Sequence, residues 1–203
     1  FGVLLNLMWY CVAVILGLPL QVLVVYTALL TFVAKVSPLV FFSGMKDAIL
    51  LAFSTSSSSA TLPVTMGCLE NNLGVNKRVT NFVLPLGATV NMDGTALYEA
   101  MAAMFIAQAY GIDLSLAQQV TIFVTANLAA VGAAGIPGAG LITMALVLNA
   151  VGLPLEGLGM ILAVDRILDM FRTATNVAGD GAVTMIVANV SQEEAQEEAV
   201  AEA

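Results

Sequence analysis

The last apolar stretch of the chain contains six polar residues at a spacing that places them on one side of a helix. They are Asp165, Asp169, Arg172, Thr173, Asn176 and Asp180. At roughly 100° per residue, these positions fall within a stripe about 100° wide. The charged groups could neutralise one another as structural ion pairs, but three acids exceed one cation. The stripe therefore indicates a site for charged ligands.

Within this stripe, Asp169 and Arg172 have complementary chemistry for a zwitterion. Asp169 can hold an ammonium group, and Arg172, less than one helical turn away, can hold a carboxylate through two parallel hydrogen bonds. An amino acid with a second carboxylate satisfies both residues. Asn176 and Asp180 supply hard oxygen atoms, which suit a cation.

A second polar group, Asn91, Met92, Asp93, Gly94 and Thr95, interrupts an otherwise apolar helix that is predicted over 78–110. Asn and Asp are costly at membrane depth unless they have partners. Glycine permits local unwinding, which frees backbone carbonyl oxygens for a cation such as sodium. A solvated kink is the alternative, but it fits poorly between LPLGATV and ALYEAMAAMF. We predict that the break coordinates an ion.

Residues 37–75 are predicted to form a re-entrant helical hairpin. Positive charges lie near both ends, Lys35 and Lys46 on one side and Lys77 with Arg78 on the other, which places both ends in the cytoplasm. Between these two junctions, the apolar segment 48–73 is broken midway by the polar run SSSSATLP. Each arm of about 10 residues rises only about 15 Å, half a bilayer. We therefore expect the tip near the midplane.

Residues 114–153 are predicted to form a second hairpin that enters from the opposite side. The flanks around Asp113 and Glu156 lack Lys and Arg, and the centre reads GAAGIPGAG. Two opposed hairpins indicate an inverted repeat of the kind that secondary transporters use. The alternative is two ordinary helical pairs with glycine-rich packing contacts. Lys and Arg flank the first break but not the second, and this difference favours two hairpins that enter from opposite sides.

The composition indicates a bilayer as the solvent, since 60% of the residues are hydrophobic and 10% are charged. Residues 1–34 and 114–155 contain no formal charge, and each run exceeds the roughly 20 residues that cross hydrocarbon as a helix. We predict an all-α, multi-pass protein of the cell membrane. It would have transmembrane helices over 1–35 and 157–190 and an acidic, disordered tail over 191–203. Because the sequence begins inside an apolar run, we expect an N-terminally truncated chain.

Other classes of protein fit the sequence poorly. Cys11 and Cys68 supply neither a disulfide framework nor a ligand cluster, no cofactor motif is present, and no basic patch suits nucleic acid. An intramembrane hydrolase built on Ser58 with Asp165 or Asp169 would lack a histidine, since the chain has none. A channel needs a continuous lined pore, whereas these polar groups converge on one site.

Four segments, SSSSATLPVT, LPLGATVNMDGTALYEA, AAGIPGAG and DRILDMFRTATNVAGD, resemble in this order the glutamate/aspartate:cation symporter family. The resemblance covers nearly the whole chain except the tail. It implies an elevator-type carrier, usually a homotrimer in lipid, that is not an enzyme and that transports an acidic amino acid with sodium. The chain resembles the C-terminal part of the transport domain, from the sixth membrane helix through both hairpins to the eighth.

The resemblance also implies roles for individual residues. The first tip and Asn176 would contact the backbone carboxylate of the substrate, and the second tip would close over it. The implied substrate-binding residues are Ser57, Ser58, Ser59, Thr95, Ile136, Pro137, Gly138, Ala139, Gly140, Asp169, Arg172, Thr173 and Asn176. The implied sodium-binding residues are Gly87, Thr89, Asn91, Met92, Asp93, Ala130, Ala133, Asn176 and Asp180.

Glu99 extends the resemblance to protons, because members that co-transport a proton have Glu at this position, whereas sodium-only archaeal members have Gln. Two positions depart from the family pattern. Ser56 stands where prokaryotic relatives often have Arg, and Met170 stands where eukaryotic relatives have a compensating Arg. Arg166 lies one turn away and is the expected substitute.

The main alternative within the family is symport of neutral amino acids or of C4-dicarboxylates. Neutral carriers generally lack the Arg at position 172, and dicarboxylate carriers lack the ammonium partner at position 169. The chain has Arg172 and Asp169, so the sequence favours an acidic amino acid.

Overall fold

The computed structural model describes the backbone of residues 2–201 and the side chains of residues 4–191. Every regular element in this part is helical, which confirms the all-α prediction. The α-helices are α1 (Gly2–Gln21), α2 (Pro38–Thr55), α3 (Ser58–Gly67), α4 (Lys77–Val90), α5 (Asp93–Ala109), α6 (Leu116–Val131), α7 (Ala139–Val151) and α8 (Leu158–Ala201). The π-helical segments Val22–Tyr26 and Leu29–Val33 follow α1, Cys68–Asn72 follows α3, and a 3-10 turn, Leu155–Gly157, precedes α8.

Local signals set where several helices begin. Pro38 occupies the first turn of α2, where its missing N–H has no intrahelical partner to lose. The Ser57 hydroxyl caps α3 by accepting a hydrogen bond from the Ala60 N–H at 3.1 Å. Ser115 and Gln118 form a reciprocal capping box at the start of α6. These caps fix the second arm of the first hairpin and the first arm of the second.

The two predicted hairpins are helix–turn–helix units, with α2 packed on α3 and α6 packed on α7. The first arm is longer than predicted, since α2 has 18 residues, about 27 Å, instead of about 10. Lys46 and Asp47 do not end the helix because both lie on its exposed face. Entry and return of either hairpin on one side of a membrane stays a prediction.

The last helix extends beyond the predicted boundary at residue 190, because the α8 backbone reaches Ala201. The acidic tail was predicted over 191–203. The side chains of 192–201 and all of 202–203 lie outside the described residues.

Two apolar clusters pack on opposite parts of α8. The first joins α1 and α5 to α8 around Tyr98, Ile106, Met144 and Ile161. The second joins α2, α3 and the π-helical segments to α8 around Phe41, Met45, Leu69 and Ala178. Leu168 belongs to the first cluster and Val177 to the second. The polar stripe of α8 therefore lies where the two clusters meet.

The polarity of the surface is the reverse of that of a soluble protein. Large apolar side chains such as Phe32, Leu39 and Ile142 are more than three-quarters exposed, while several charged groups are buried. Exposed apolar area on this scale marks contact with lipid or other protein. Two helices, Leu4–Val33 and Pro38–Thr55, are long and apolar enough to cross a membrane.

Candidate functional site

The polar stripe of α8 faces the interior of the helix assembly. Each of its six residues is 5% exposed or less. Buried charges are stable only when they are paired or hydrogen-bonded. Their contacts therefore define the candidate site.

Arg172 is at the centre of these contacts. Its Nη2 lies 2.6 Å from Asp169 Oδ1, and its Nη1 lies 3.7 Å from Asp165 Oδ1. The guanidinium stacks over the Tyr98 ring, with Cζ 4.3 Å from the ring centroid. Tyr98 also donates to Asp165 Oδ1 at 2.6 Å. Arg172 and Asp169 are thus paired with each other, while Nη1 has no hydrogen-bond partner among the described residues.

Asp169 connects α8 to the tip of the second hairpin. Its Oδ2 accepts a hydrogen bond from the Gly138 N–H at 2.8 Å, and its Oδ1 accepts one from Thr173 at 3.3 Å. A carboxylate that accepts a backbone N–H fixes the position of that segment. Movement of the second tip therefore changes the surroundings of Asp169.

The two hairpin tips contact each other directly. The Ser57 hydroxyl donates to the Gly135 carbonyl at 2.7 Å, and the Ser59 N–H donates to the same oxygen at 3.1 Å. Ser56 joins α2 to α3 in a left-handed conformation with φ 53°. This turn places Ser56 and Ser58 in the interior, where both are buried.

A small cavity lies between the two tips, the break before α5 and α8. Its volume of about 10 Å³ corresponds to roughly one water molecule. It is lined by Ser56, Ser58, Met92, Thr95, Ala133, Ala134, Gly135, Ile136, Ala139, Gly140, Asp169, Arg172, Thr173 and Asn176. A wider groove of about 510 Å³ between α1, α5 and α6 has a mainly apolar lining. The small cavity is therefore the better candidate site for a charged ligand.

The break between α4 and α5 is held against α8 by Asn176. Its Oδ1 accepts the Gly94 N–H at 2.8 Å, and its Nδ2 donates to Thr95 at 3.1 Å and to the Met92 sulfur at 3.2 Å. A β-carbon on Gly94 would lie 2.8 Å from the Arg172 carbonyl oxygen. Only glycine permits this close packing.

A second part of the break forms a cluster of oxygen-bearing side chains. Asn91 Nδ2 donates to Asp180 Oδ1 at 3.0 Å, and Gly87 packs on the same carboxylate. Asp93 accepts hydrogen bonds from Gln21 and Tyr26 through Oδ2. Carboxylate and amide oxygens of this kind are ligands for hard cations.

Glu99 is fully buried in α5 and pairs with the start of α7. The Thr143 hydroxyl donates to Glu99 Oε1, and Oε2 has no hydrogen-bond partner within the described part of the chain. Thr143 lies one turn after the second tip. Glu99 therefore reaches the tip through a single hydroxyl.

Several predicted residues have exposed side chains. The side chains of Thr89, Ser59 and Pro137 are exposed, and Ile136 lines the cavity while remaining 55% exposed. The roles implied for Thr89 and Ala130 use backbone oxygens and remain predictions. Ala130 packs against the break.

Of the positions that depart from the family pattern, Ser56 lines the cavity, and its hydroxyl has no hydrogen-bond partner among the residues described. Arg166 is exposed on α8 and is not among the lining residues.

The structure adds residues that sequence reasoning did not place at the site. Tyr98 and Thr143 lie in apolar runs whose periodicity indicates only core packing. Asp165 was recognised in the stripe, but its contact with Tyr98 was not. Gln21 and Tyr26 lie in the first apolar helix, where a polar side chain is itself a signal of function.

Buried charges beneath an apolar exterior, with two hairpin tips meeting beside them, indicate a membrane protein with a candidate internal site. The model of the sodium:dicarboxylate symporter family matches residues 1–190. The chain belongs to this family, whose members are transporters and not enzymes.

Similar proteins include excitatory amino acid transporter 1 of human, 53% identical over 93% of this chain and 35% of the relative. Excitatory amino acid transporter 3 of mouse is 54% identical over 93% of this chain and 36% of the relative. An excitatory amino acid transporter of Caenorhabditis elegans is 53% identical over 90% of this chain and 36% of the relative. The chain thus spans about a third of the length of these relatives.

Proposed function

We propose that this chain forms the substrate- and ion-binding part of a symporter that moves glutamate or aspartate with sodium across the cell membrane. The observation that carries the proposal is the buried Arg172–Asp169 pair in the cavity between the hairpin tips. Arg172 Nη1 has no hydrogen-bond partner within the described residues and could donate to a substrate carboxylate. Both oxygens of Asp169 now accept hydrogen bonds, and the one from Gly138 would be released to an ammonium group when the second tip moves away. The names of the excitatory amino acid transporters that this chain resembles support the same class of substrate.

The substrate would bind where the small cavity now lies, after the second tip moves away. Its side-chain carboxylate would meet Arg172 and Thr95, its ammonium group Asp169, and its backbone carboxylate Asn176 and the serines of the first tip. The hydrogen bond from Gly138 to Asp169 supports coupling between tip closure and substrate binding. Contact of the two tips through the Gly135 carbonyl would close the site.

Sodium would bind at the oxygen cluster beside the break and at backbone oxygens near the second tip. The contacts between Asn91 and Asp180 support the first location. Glu99 would carry a proton, which its full burial and its pairing with Thr143 support. We further propose a multi-pass, trimeric assembly in which this region moves as an elevator-type transport domain.

The proposal is tested by uptake of radiolabelled aspartate into proteoliposomes that contain the complete protein. Uptake should require a sodium gradient, and unlabelled glutamate should compete while serine and succinate should not. The matched control replaces external sodium with choline at the same ionic strength.

The competition also separates the alternatives. If succinate displaces aspartate as well as glutamate does, the protein is a dicarboxylate carrier. If serine displaces aspartate as well as glutamate does, the protein is a neutral amino acid carrier. Aspartate uptake that is unchanged in choline contradicts sodium coupling.

A further inference from the structure

One oxygen of Asp93 is held by two donors, one at the end of α1 and one in the π-helical segment that follows it. Asp93 Oδ2 accepts a hydrogen bond from the Tyr26 hydroxyl at 2.7 Å and another from Gln21 Nε2 at 3.0 Å. The second oxygen, Oδ1, is buried, and no described residue offers it a hydrogen bond. A buried carboxylate oxygen left in this state is costly unless it serves a ligand. Asp93 is therefore oriented, with one oxygen occupied and one available.

The local helix geometry brings the two donors together. Gln21 and Tyr26 are five residues apart: Gln21 directly precedes the π-helical segment Val22–Tyr26, and Tyr26 is its last residue. In a regular α-helix, residues five apart point about 140° away from each other. The i→i+5 turn of a π-helix reduces this angle, and Gln21 Nε2 lies 3.5 Å from the Tyr26 hydroxyl. Single π-turns of this kind are frequent at functional sites.

The Tyr26 hydroxyl also lies against the cluster on α8. A β-carbon at Gly179 would lie 2.6 Å from the Tyr26 oxygen and 2.9 Å from Asn91 Nδ2. Asn91 in turn donates to Asp180 Oδ1. The packing thus makes one continuous group of Tyr26, Asn91, Asp93 and Asp180, rich in oxygen atoms and with two carboxylates.

We infer that Gln21 and Tyr26 are positioning residues for sodium: they hold Asp93 Oδ2 so that Oδ1 faces a cation bound beside Asn91 and Asp180. They act on the ion through Asp93 and are not themselves ligands. Donors that fix a ligating carboxylate change cation affinity when they are removed, although they do not touch the cation. The inference rests on the proposed sodium-coupled function.

The test is the sodium dependence of aspartate uptake by the complete protein in proteoliposomes. Tyr26→Phe removes the hydroxyl and keeps the ring. It should raise the sodium concentration for half-maximal uptake about 10-fold, the effect of losing one hydrogen bond to a charged group. Maximal uptake at saturating sodium should stay within about twofold of wild type, because a residue needed only for folding would lower the maximum instead.

Thr31→Val is the matched control, because it also removes a hydroxyl from this helical region. The Thr31 hydroxyl is exposed and donates to the Thr27 carbonyl at 2.7 Å. The half-saturating sodium concentration of Thr31→Val should stay within about twofold of wild type. An equal shift in Thr31→Val and Tyr26→Phe would overturn the inference, because the shift would not depend on Asp93.

A second variant, Gln21→Leu, removes the longer of the two hydrogen bonds at nearly constant volume. We expect a rise of about 3-fold in half-saturating sodium. If Tyr26→Phe does not yield folded protein, Gln21→Leu decides alone. An unchanged sodium dependence in whichever of these variants folds refutes the positioning role. Wild-type uptake that does not need sodium refutes the proposed function instead, so the two failures are distinct.

Discussion

Replacement of Arg172 by Cys should change which substrate the protein accepts. In the structure this guanidinium is 2% exposed, bonds Asp169 through Nη2 at 2.6 Å and stacks on Tyr98. Cysteine removes the charge and every donor. We therefore expect aspartate uptake to be lost while uptake of a neutral amino acid such as serine appears.

The size of the effect follows from the contacts that disappear. Without Arg172, the carboxylate of Asp169 lines the cavity with no guanidinium beside it, and buried Asp165 loses its nearby positive charge. Truncation of one partner of a buried charge pair costs about 2–5 kcal/mol. A loss of about 3 kcal/mol corresponds to roughly a 100-fold fall in kcat/KM for aspartate. Serine has no side-chain carboxylate to lose a partner when Arg172 is removed, and its ammonium group can still bind Asp169.

The assay is initial uptake of labelled aspartate and of labelled serine at saturating sodium, in proteoliposomes with equal amounts of protein. Arg78→Cys, at the exposed start of α4, is the matched control and, like wild type, should take up aspartate and not serine. Undiminished aspartate uptake by Arg172→Cys would show that Arg172 is only structural, and the substrate assignment would be wrong.

Three further variants probe other contacts. Gly94→Ala should reduce both substrate and sodium affinity at least about 10-fold, because its β-carbon would meet the backbone oxygen of Arg172, which cannot move aside; equilibrium binding of aspartate at several sodium concentrations measures this, and wild-type affinity contradicts the packing argument. Thr143→Val removes the donor to Glu99 and should shift the external pH dependence of uptake, whereas an unaltered pH profile argues against a link between this carboxyl and the second tip. Ser57→Ala removes the hydroxyl bond between the tips and should speed aspartate dissociation about 5-fold, measured by isotope exchange; an unchanged rate means that this bond does not hold the tips closed.

The sequence alone predicted the features that depend on local pattern. The spacing from Asp165 to Asp180 correctly predicted a buried polar side of one helix, because helical periodicity is a property of neighbouring residues. The Asn91–Met92 break was predicted from polar residues within an apolar run, and the serine- and glycine-rich tips separate helices as expected. The predicted length of the first arm was wrong. Lys46 and Asp47 resemble a helix boundary in the sequence, but they lie on the exposed face of α2, which continues through them.

Only the tertiary structure decided which partners these residues have. Ser57 meets Gly135, which is 78 positions away, and Gln21 meets Asp93, which is 72 positions away. No periodicity encodes such contacts, because they arise when separate helices pack. The sequence predicted Arg172 as a carboxylate ligand and Asp169 as an ammonium ligand, and these two α8 residues, three positions apart, also bond each other, as helical spacing allows. Their contacts with Tyr98 and Gly138, by contrast, come from packing. The charges of the site were thus determined by the sequence, and their partners on other helices by the fold, because only packing brings separate helices together.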